Sequence, residues 1–257
     1  MTDEWFGASY EGIAALQRTL ALQSVDSAPW RGDESVLDLG CGDGAITAEI
    51  AKRVPAGSVL GIDRSADQIR FAREHHRLPN LSFATGDAIA FSAEPRDILT
   101  SFNALHWVHD LETATLRIHD AVRPGGSLLL RLVGAGERQS LEQTAAAVCM
   151  SPRWSGQFAG FKQPHEHRTA RAWSQLLADA GFADVVVNTG DESWDFGSRD
   201  AFFSWGLGTF GPWLGGLPET EHAAFLTDVL VQYAQVAGRE GLFRFIQLGI
   251  TGQRSDH

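Results

Sequence analysis

Val36-Leu37-Asp38-Leu39-Gly40-Cys41-Gly42-Asp43-Gly44 is the stretch that decides the fold. Ser35–Leu39 is a short apolar run ending in glycines, so it reads as a buried strand. The glycines allow positive φ and close approach of backbone to a ligand. Ala45–Val54 follows with helical periodicity, and Ile46, Ile50 and Val54 share one face. The turn also satisfies the weaker dinucleotide pattern through Gly40, Gly42 and Ala45, so charge must separate the two readings.

A dinucleotide would lay a doubly charged pyrophosphate on this turn, which wants a positive helix end and no nearby anion. Asp38 and Asp43 flank the turn and oppose that. They favour a ligand with a sulfonium and an ammonium, and S-adenosylmethionine (SAM) carries both. Asp63 closes the next apolar run, Ser58–Asp63, about 20 residues on, where a carboxylate can take both ribose hydroxyls. Asp87 follows the run Leu81–Ala84 and can accept from an adenine amino group. Each acid alone could be a turn cap. Together, at the ends of successive strands, they point to a bound nucleoside.

Further elements extend the alternation outward. Ser65 is the expected N-cap of a helix Ala66–His75. A fourth strand lies within Arg96–Asn103, a helix covers Leu111–Val122, and Pro124-Gly125-Gly126 stops it before a strand Ser127–Val133. Ala170–Ala180 reads as a helix stopped by Gly181, Asp184–Asn188 as a strand, Glu219–Ala237 as a long helix and Leu242–Ile250 as a last strand. This order predicts an α/β fold, a seven-stranded, mostly parallel sheet with helices on both faces. Ligands of such sheets sit at the carboxyl ends of the strands. One domain over 1–257 is expected, with a helical cap segment at 1–30 and a helical lid from insertions at 134–169 and 197–238.

The 257 residues carry 44% hydrophobic composition, enough for one sizeable core. The formal charge of −11 repels phosphate backbones and argues against a nucleic-acid substrate. No apolar run is long enough for a membrane span, and the acidic N-terminus is no secretory signal, so a cytoplasmic location is expected. The two cysteines, Cys41 and Cys149, make neither a disulfide framework nor a zinc spacing. His165 and His167 flank Glu166 without a third ligand at a suitable spacing, so no metal is expected. Oligomeric state is not legible.

Val36–Gly44 resembles motif I of the class I SAM-dependent methyltransferases. Gly61-Ile62-Asp63-Arg64-Ser65 resembles their acidic second strand, Gly86-Asp87-Ala88 their adenine-side motif, and Val122–Gly126 the turn before their fifth strand. The resemblance implies a Rossmann-like methyltransferase fold, SAM as methyl donor and S-adenosylhomocysteine (SAH) as product. It places Gly40, Cys41, Gly42, Asp43, Asp63, Arg64, Gln68, Asp87, Ala88 and the backbone near Asn103 around the cofactor.

Ser101–Val108 and Tyr10–Arg18 resemble segments of juvenile hormone acid methyltransferases and, for the first, more loosely of trans-aconitate methyltransferases. That resemblance implies that Gln17 and Trp107 hold a substrate carboxylate, with Tyr10 nearby. A carboxylate of pKa ~4 is ionised at neutral pH and needs no base. Neutral amide and indole N–H donors suffice to orient it. His106 keeps a second reading open, a phenol, amine or carbon acceptor with an imidazole base. A binding module without transfer activity is a third. Phe202–Leu214 is rich in aromatics, and Trp205 and Phe210 are candidates to line an apolar acceptor cavity, although packing of the insertion is the plainer use of most of them. The expected acceptor is a small apolar or aromatic acid.

Overall fold

A computed structural model describes residues 4–163 and 167–255, with side chains from residue 16 onward. The side chain of Tyr10, and with it His165 and Glu166, lies outside the described residues.

The elements run α1 (Glu4–Ser27), β1 (Ser35–Leu39), α2 (Ala45–Arg53), β2 (Ser58–Asp63), α3 (Ala66–His75), β3 (Leu81–Thr85), β4 (Arg96–Phe102), α4 (Leu111–Ala121), β5 (Val122–Gly134), α5 (Leu141–Cys149), α6 (Ala170–Asp179), β6 (Phe182–Asp195), α7 (Arg199–Thr209), α8 (Gly211–Leu214), α9 (Glu219–Ala237) and β7 (Leu242–Arg254). The seven strands form one sheet in the order β3-β2-β1-β4-β5-β7-β6. Parallel pairing joins β3, β2, β1, β4 and β5. This is the expected α/β class.

Register carries the strand tips to one edge. Leu39 pairs with Ile62, Asp63 with Thr85 and Thr100 with Asp38. The order reverses at β1, where β2 lies on one side and β4 on the other. Ligands of open parallel sheets bind at that reversal.

The chain divides into two compact units, Met1–Gln17 with Ala135–Glu166 and Asp191–Ile246, and Arg18–Gly134 with His167–Gly190 and Gln247–His257. In the second unit, Val25, Val36, Ile50, Ala51, Val54 and Val59 bury together, with Trp30 against them. A smaller cluster of Cys41, Ile69, Ala72 and Phe83 packs α3 on the sheet. Burial at ~25 cal/mol per Å2 of apolar surface makes these clusters the main stabilisation of the unit.

The first unit has an aromatic core of its own. Trp205 packs on Phe202, Phe196 and Phe243, and Phe210 on Trp213. Trp154 meets Phe225 edge-on at 5.3 Å, and its Nε1 donates to Asp228. Tyr233 donates to the Arg244 carbonyl at 2.7 Å, tying α9 to β7.

Three strands differ from expectation. β5 begins at Val122, so the helix stop and the strand start coincide. Val122 pairs with Arg96 and Ser127 with Ile98, leaving Arg123-Pro124-Gly125-Gly126 as a bulge opposite Asp97. Proline lacks a ladder donor, and a bulge is where a strand tolerates it. β6 runs fourteen residues to Asp195 and β7 to Arg254, beyond the expected ends. β6 lies at the sheet edge and is polar and largely exposed, so its sequence lacks a long apolar signal. Among the described residues, no helix is long and apolar enough to cross a membrane.

Candidate active site

The turn after β1 is a run of left-handed glycines, with φ 77° at Gly40, 53° at Gly42 and 80° at Gly44. They differ in what lies beside them. A Cβ on Gly40 would fall 2.1 Å from the Ala104 Cβ, and one on Gly44 would fall 2.7 Å from the Phe83 ring. A Cβ on Gly42 would meet nothing within 4 Å. Two of the glycines therefore serve packing within the protein, and Gly42 faces open space where a ligand can approach the backbone.

Asp63 is shaped by the same turn. Its Oδ2 accepts from the Gly42 N–H at 2.9 Å and its Oδ1 from the Ser65 N–H at 2.8 Å. An ionised carboxylate offers about four acceptor positions, so both oxygens keep capacity for a vicinal diol. Gly40 and Cys41 both donate to the Ile62 carbonyl, at 2.7 and 3.0 Å, which clamps the turn against the tip of β2.

Asp38 does not act as the sequence suggested. It is buried, with Oδ2 accepting from Thr47 at 2.6 Å and Oδ1 from Thr100 at 2.8 Å. Its carboxyl belongs to the interior and ties β1 to α2 and β4. Burial, against the two threonine hydrogen bonds, pushes its pKa up to about 6. The folded state then holds the proton more tightly than the unfolded chain. The associated stability is complete below pH ~4 and is lost as pH rises through about 6. Asp38→Asn is expected to flatten this dependence. Between pH 4.5 and 8 the parent should lose about 2 kcal/mol more unfolding free energy than the variant. Urea melts at the two pH values check it, and equal losses would contradict the assignment.

Asp43 is exposed, and its Oδ1 accepts from the Ala45 N–H at 2.9 Å, so it closes the turn that leads into α2. Cys41 is buried against Ile69, Ala72 and Phe83, and burial, aided by Asp38, pushes its thiol far above the ordinary range. It is a small packing residue, not a nucleophile. Asp87 is exposed after β3. Its Oδ1 accepts from the Ile89 N–H at 3.1 Å, and its carbonyl accepts from Ala90 and Phe91, so it heads a turn and keeps one carboxylate oxygen to spare. Ala88 is half-buried beside it. Arg64 and Gln68 are exposed, and the Gln68 N–H donates to the Ser65 hydroxyl at 3.3 Å.

Past β4, Asn103 stands at φ 53° and its N–H donates to the Arg131 carbonyl at 2.7 Å. The short 3-10 turn Leu105–Trp107 follows. His106 is buried, and Trp107 is 41% exposed. Their rings lie 5.4 Å apart, and the His167 ring meets His106 edge-on at 5.8 Å. Gln17 is half-buried on α1 and belongs to the first unit, Trp107 to the second. Trp205 and Phe210 are buried in the aromatic core of the first unit, and that packing accounts for both side chains. Among the described residues, no group of three His, Cys, Asp or Glu could hold a metal ion.

Residues 36–126 match the model of a methyltransferase domain family. The chain belongs to the class I SAM-dependent methyltransferases and is such an enzyme. It is similar to a trans-aconitate 2-methyltransferase of Deinococcus radiodurans, 31% identical over 77% of this chain and 78% of the relative. A trans-aconitate 2-methyltransferase of Delftia acidovorans is 27% identical over 98% of both chains. The crystal structure of a candidate methyltransferase from Bacillus halodurans superimposes with a TM-score of 0.67 at 20% identity, covering 92% of this chain and 99% of that one, a likeness of fold.

Proposed function

We propose that the enzyme methylates the carboxylate of a small apolar or aromatic acid. The observation that carries this is Trp107, a large indole 41% exposed in the short 3-10 turn after β4, whose first flanking residue, Ala104, lies against Gly40 of the glycine turn. An indole N–H is a neutral donor and can orient one oxygen of a carboxylate without quenching the other. Gln17, on α1, is the second proposed orienter. The named activity of the relatives, methylation of trans-aconitate, supports a carboxylate acceptor.

Several arginines of the first unit are already committed. Arg138 and Arg244 both bind Asp191, Arg153 binds Asp228 and Arg239 binds Asp195. A tricarboxylate wants several guanidinium groups at its disposal, so a monocarboxylate with an apolar body fits better.

Gly42 and Asp63 would hold the sugar side of the cofactor and Asp87 the adenine, with Gly40, Arg64, Gln68, Ala88 and the Asn103 backbone around them. The fit rests on the open space at Gly42 and the spare acceptor positions of Asp63. Asp43 and Cys41 contribute turn capping and packing. When bound, SAM supplies an electrophilic methyl on a sulfonium, and transfer makes one C–O bond as the C–S bond breaks. The protein's task is placement: one carboxylate oxygen about 3 Å from the methyl carbon, in line with the departing sulfur.

The His106–His167 ring contact favours a second reading, a phenol, amine or carbon acceptor with His106 as base. The two readings separate by pH. A carboxylate acceptor gives a rate that is flat from about pH 6 upward, because the nucleophile stays ionised. Gln17→Ala and Trp107→Ala are each expected to lower kcat/KM on a responsive acid by about 10- to 100-fold, the loss of one orienting hydrogen bond. Turnover within a few-fold of the parent in both variants would exclude the carboxylate reading, and a rate that rises with pH and is abolished in His106→Gln would establish the alternative.

A further inference from the structure

Asn103 holds a conformation that is unfavourable for a residue with a Cβ. With φ 53° it sits in the left-handed region, which asparagine tolerates better than most residues but does not prefer. Such a residue persists where its surroundings hold it. Here the backbone N–H is tied to Arg131, and the side-chain Oδ1 accepts from Gln247 Nε2 at 3.2 Å.

Gln247 comes from β7, 144 residues later in the chain, and is 1% exposed between the apolar Ile246 and Leu248. Its Oε1 is buried with no hydrogen-bond partner among the described residues. A buried amide with one atom unsatisfied is less stable than an apolar side chain of the same shape. The sheet alone gives no reason for a glutamine at this position, and such a group invites a functional explanation.

We propose that Gln247 is a positioning residue for the cofactor. By gripping the Asn103 side chain it fixes the left-handed turn at the tip of β4, and so keeps the Asn103 backbone where it would line the cofactor. This rests on the cofactor reading given above. Gln247 touches neither donor nor acceptor in this scheme and works through Asn103 alone.

The test is Gln247→Met in the full chain, which keeps the length and removes the donor. SAH titration calorimetry should give a Kd raised about tenfold. Amide exchange at Asn103 should speed by a similar factor, because the N–H to Arg131 bond loses its support. In an Asn103→Gly background, where positive φ needs no help, the same change should add less than twofold. An undiminished tenfold loss in that background overturns the proposal, as does SAH binding within twofold of the parent in Gln247→Met. Should Gln247→Met not fold, Asn103→Ala removes the same hydrogen bond from its other end. It is expected to weaken SAH by about tenfold, and binding within twofold of the parent overturns the proposal. A parent that binds no SAH would defeat the cofactor reading instead. The exchange rate of Asn103 would then still decide whether Gln247 holds the turn, and an unchanged rate in the variant would mean that it does not.

Discussion

Asp63→Ala is expected to weaken SAH binding by at least ~100-fold, the largest loss from any single side chain of the site. Two hydrogen bonds from ribose hydroxyls to an ionised carboxylate contribute about 1.5–3 kcal/mol each, and a factor of ten is 1.4 kcal/mol. The carboxylate also accepts from the Gly42 and Ser65 amides, so its removal loosens the turn as well. An analogue separates the two contributions. SAH without its 2′-hydroxyl should lose affinity in the parent and almost none further in Asp63→Ala, because the partner is already gone. An equal loss in both proteins would place the ribose elsewhere.

Gly40→Ala and Gly42→Ala should behave in opposite ways, although the two glycines stand two residues apart in one turn. At Gly40 the new methyl would fall 2.1 Å from the Ala104 Cβ, with φ at 77°. Overpacking together with left-handed strain is expected to cost about 3 kcal/mol or more, a drop in Tm of roughly 6–12 °C for a chain of this size. Adding Ala104→Gly removes the clash and should restore about half of the loss, leaving the backbone strain. At Gly42 the methyl meets open space, so only the strain of φ 53° remains, about 1–2 kcal/mol. Yet Gly42→Ala should lose SAH affinity by about tenfold or more, because the methyl enters the ligand's volume. Thermal melts of both variants, with and without SAH, check the pair. A stable Gly40→Ala, or a Gly42→Ala with parental affinity, would contradict the division of labour in the turn.

The frame of the molecule was legible because it rests on local signals. The apolar runs Ser35–Leu39 and Ser58–Asp63 are strands buried by neighbours on both sides, and α3 starts at its Ser65 cap. α9 ends at Gly238 with φ 96°, as a helix stop should. The ends of β6 were not legible, since an exposed edge strand needs few apolar residues.

At the site, the acids could be counted from the sequence, but the direction of a side chain could not. Asp38 and Asp63 both occupy β-strands near the glycine turn. Asp38 points into the interior because Thr47 and Thr100, 9 and 62 residues away, receive it there. Asp63, at the strand tip, receives the turn's own amides. The aromatics of α7 and α8 are explained in the same way. Trp205 and Phe210 are consumed by a core built largely from their own unit's rings, which a count of aromatics does not reveal. The grip of Gln247 on Asn103 has no local signature at all, because a strand 144 residues away supplies it.

The most direct test of the cofactor site is a crystal structure of the full chain soaked or grown with SAH. The expected result has both ribose hydroxyls within about 3 Å of the Asp63 carboxylate oxygens, with the ligand covering the open face of Gly42. A ligand whose ribose hydroxyls are held by other groups, with Asp63 bound only to the amides of Gly42 and Ser65, would contradict it.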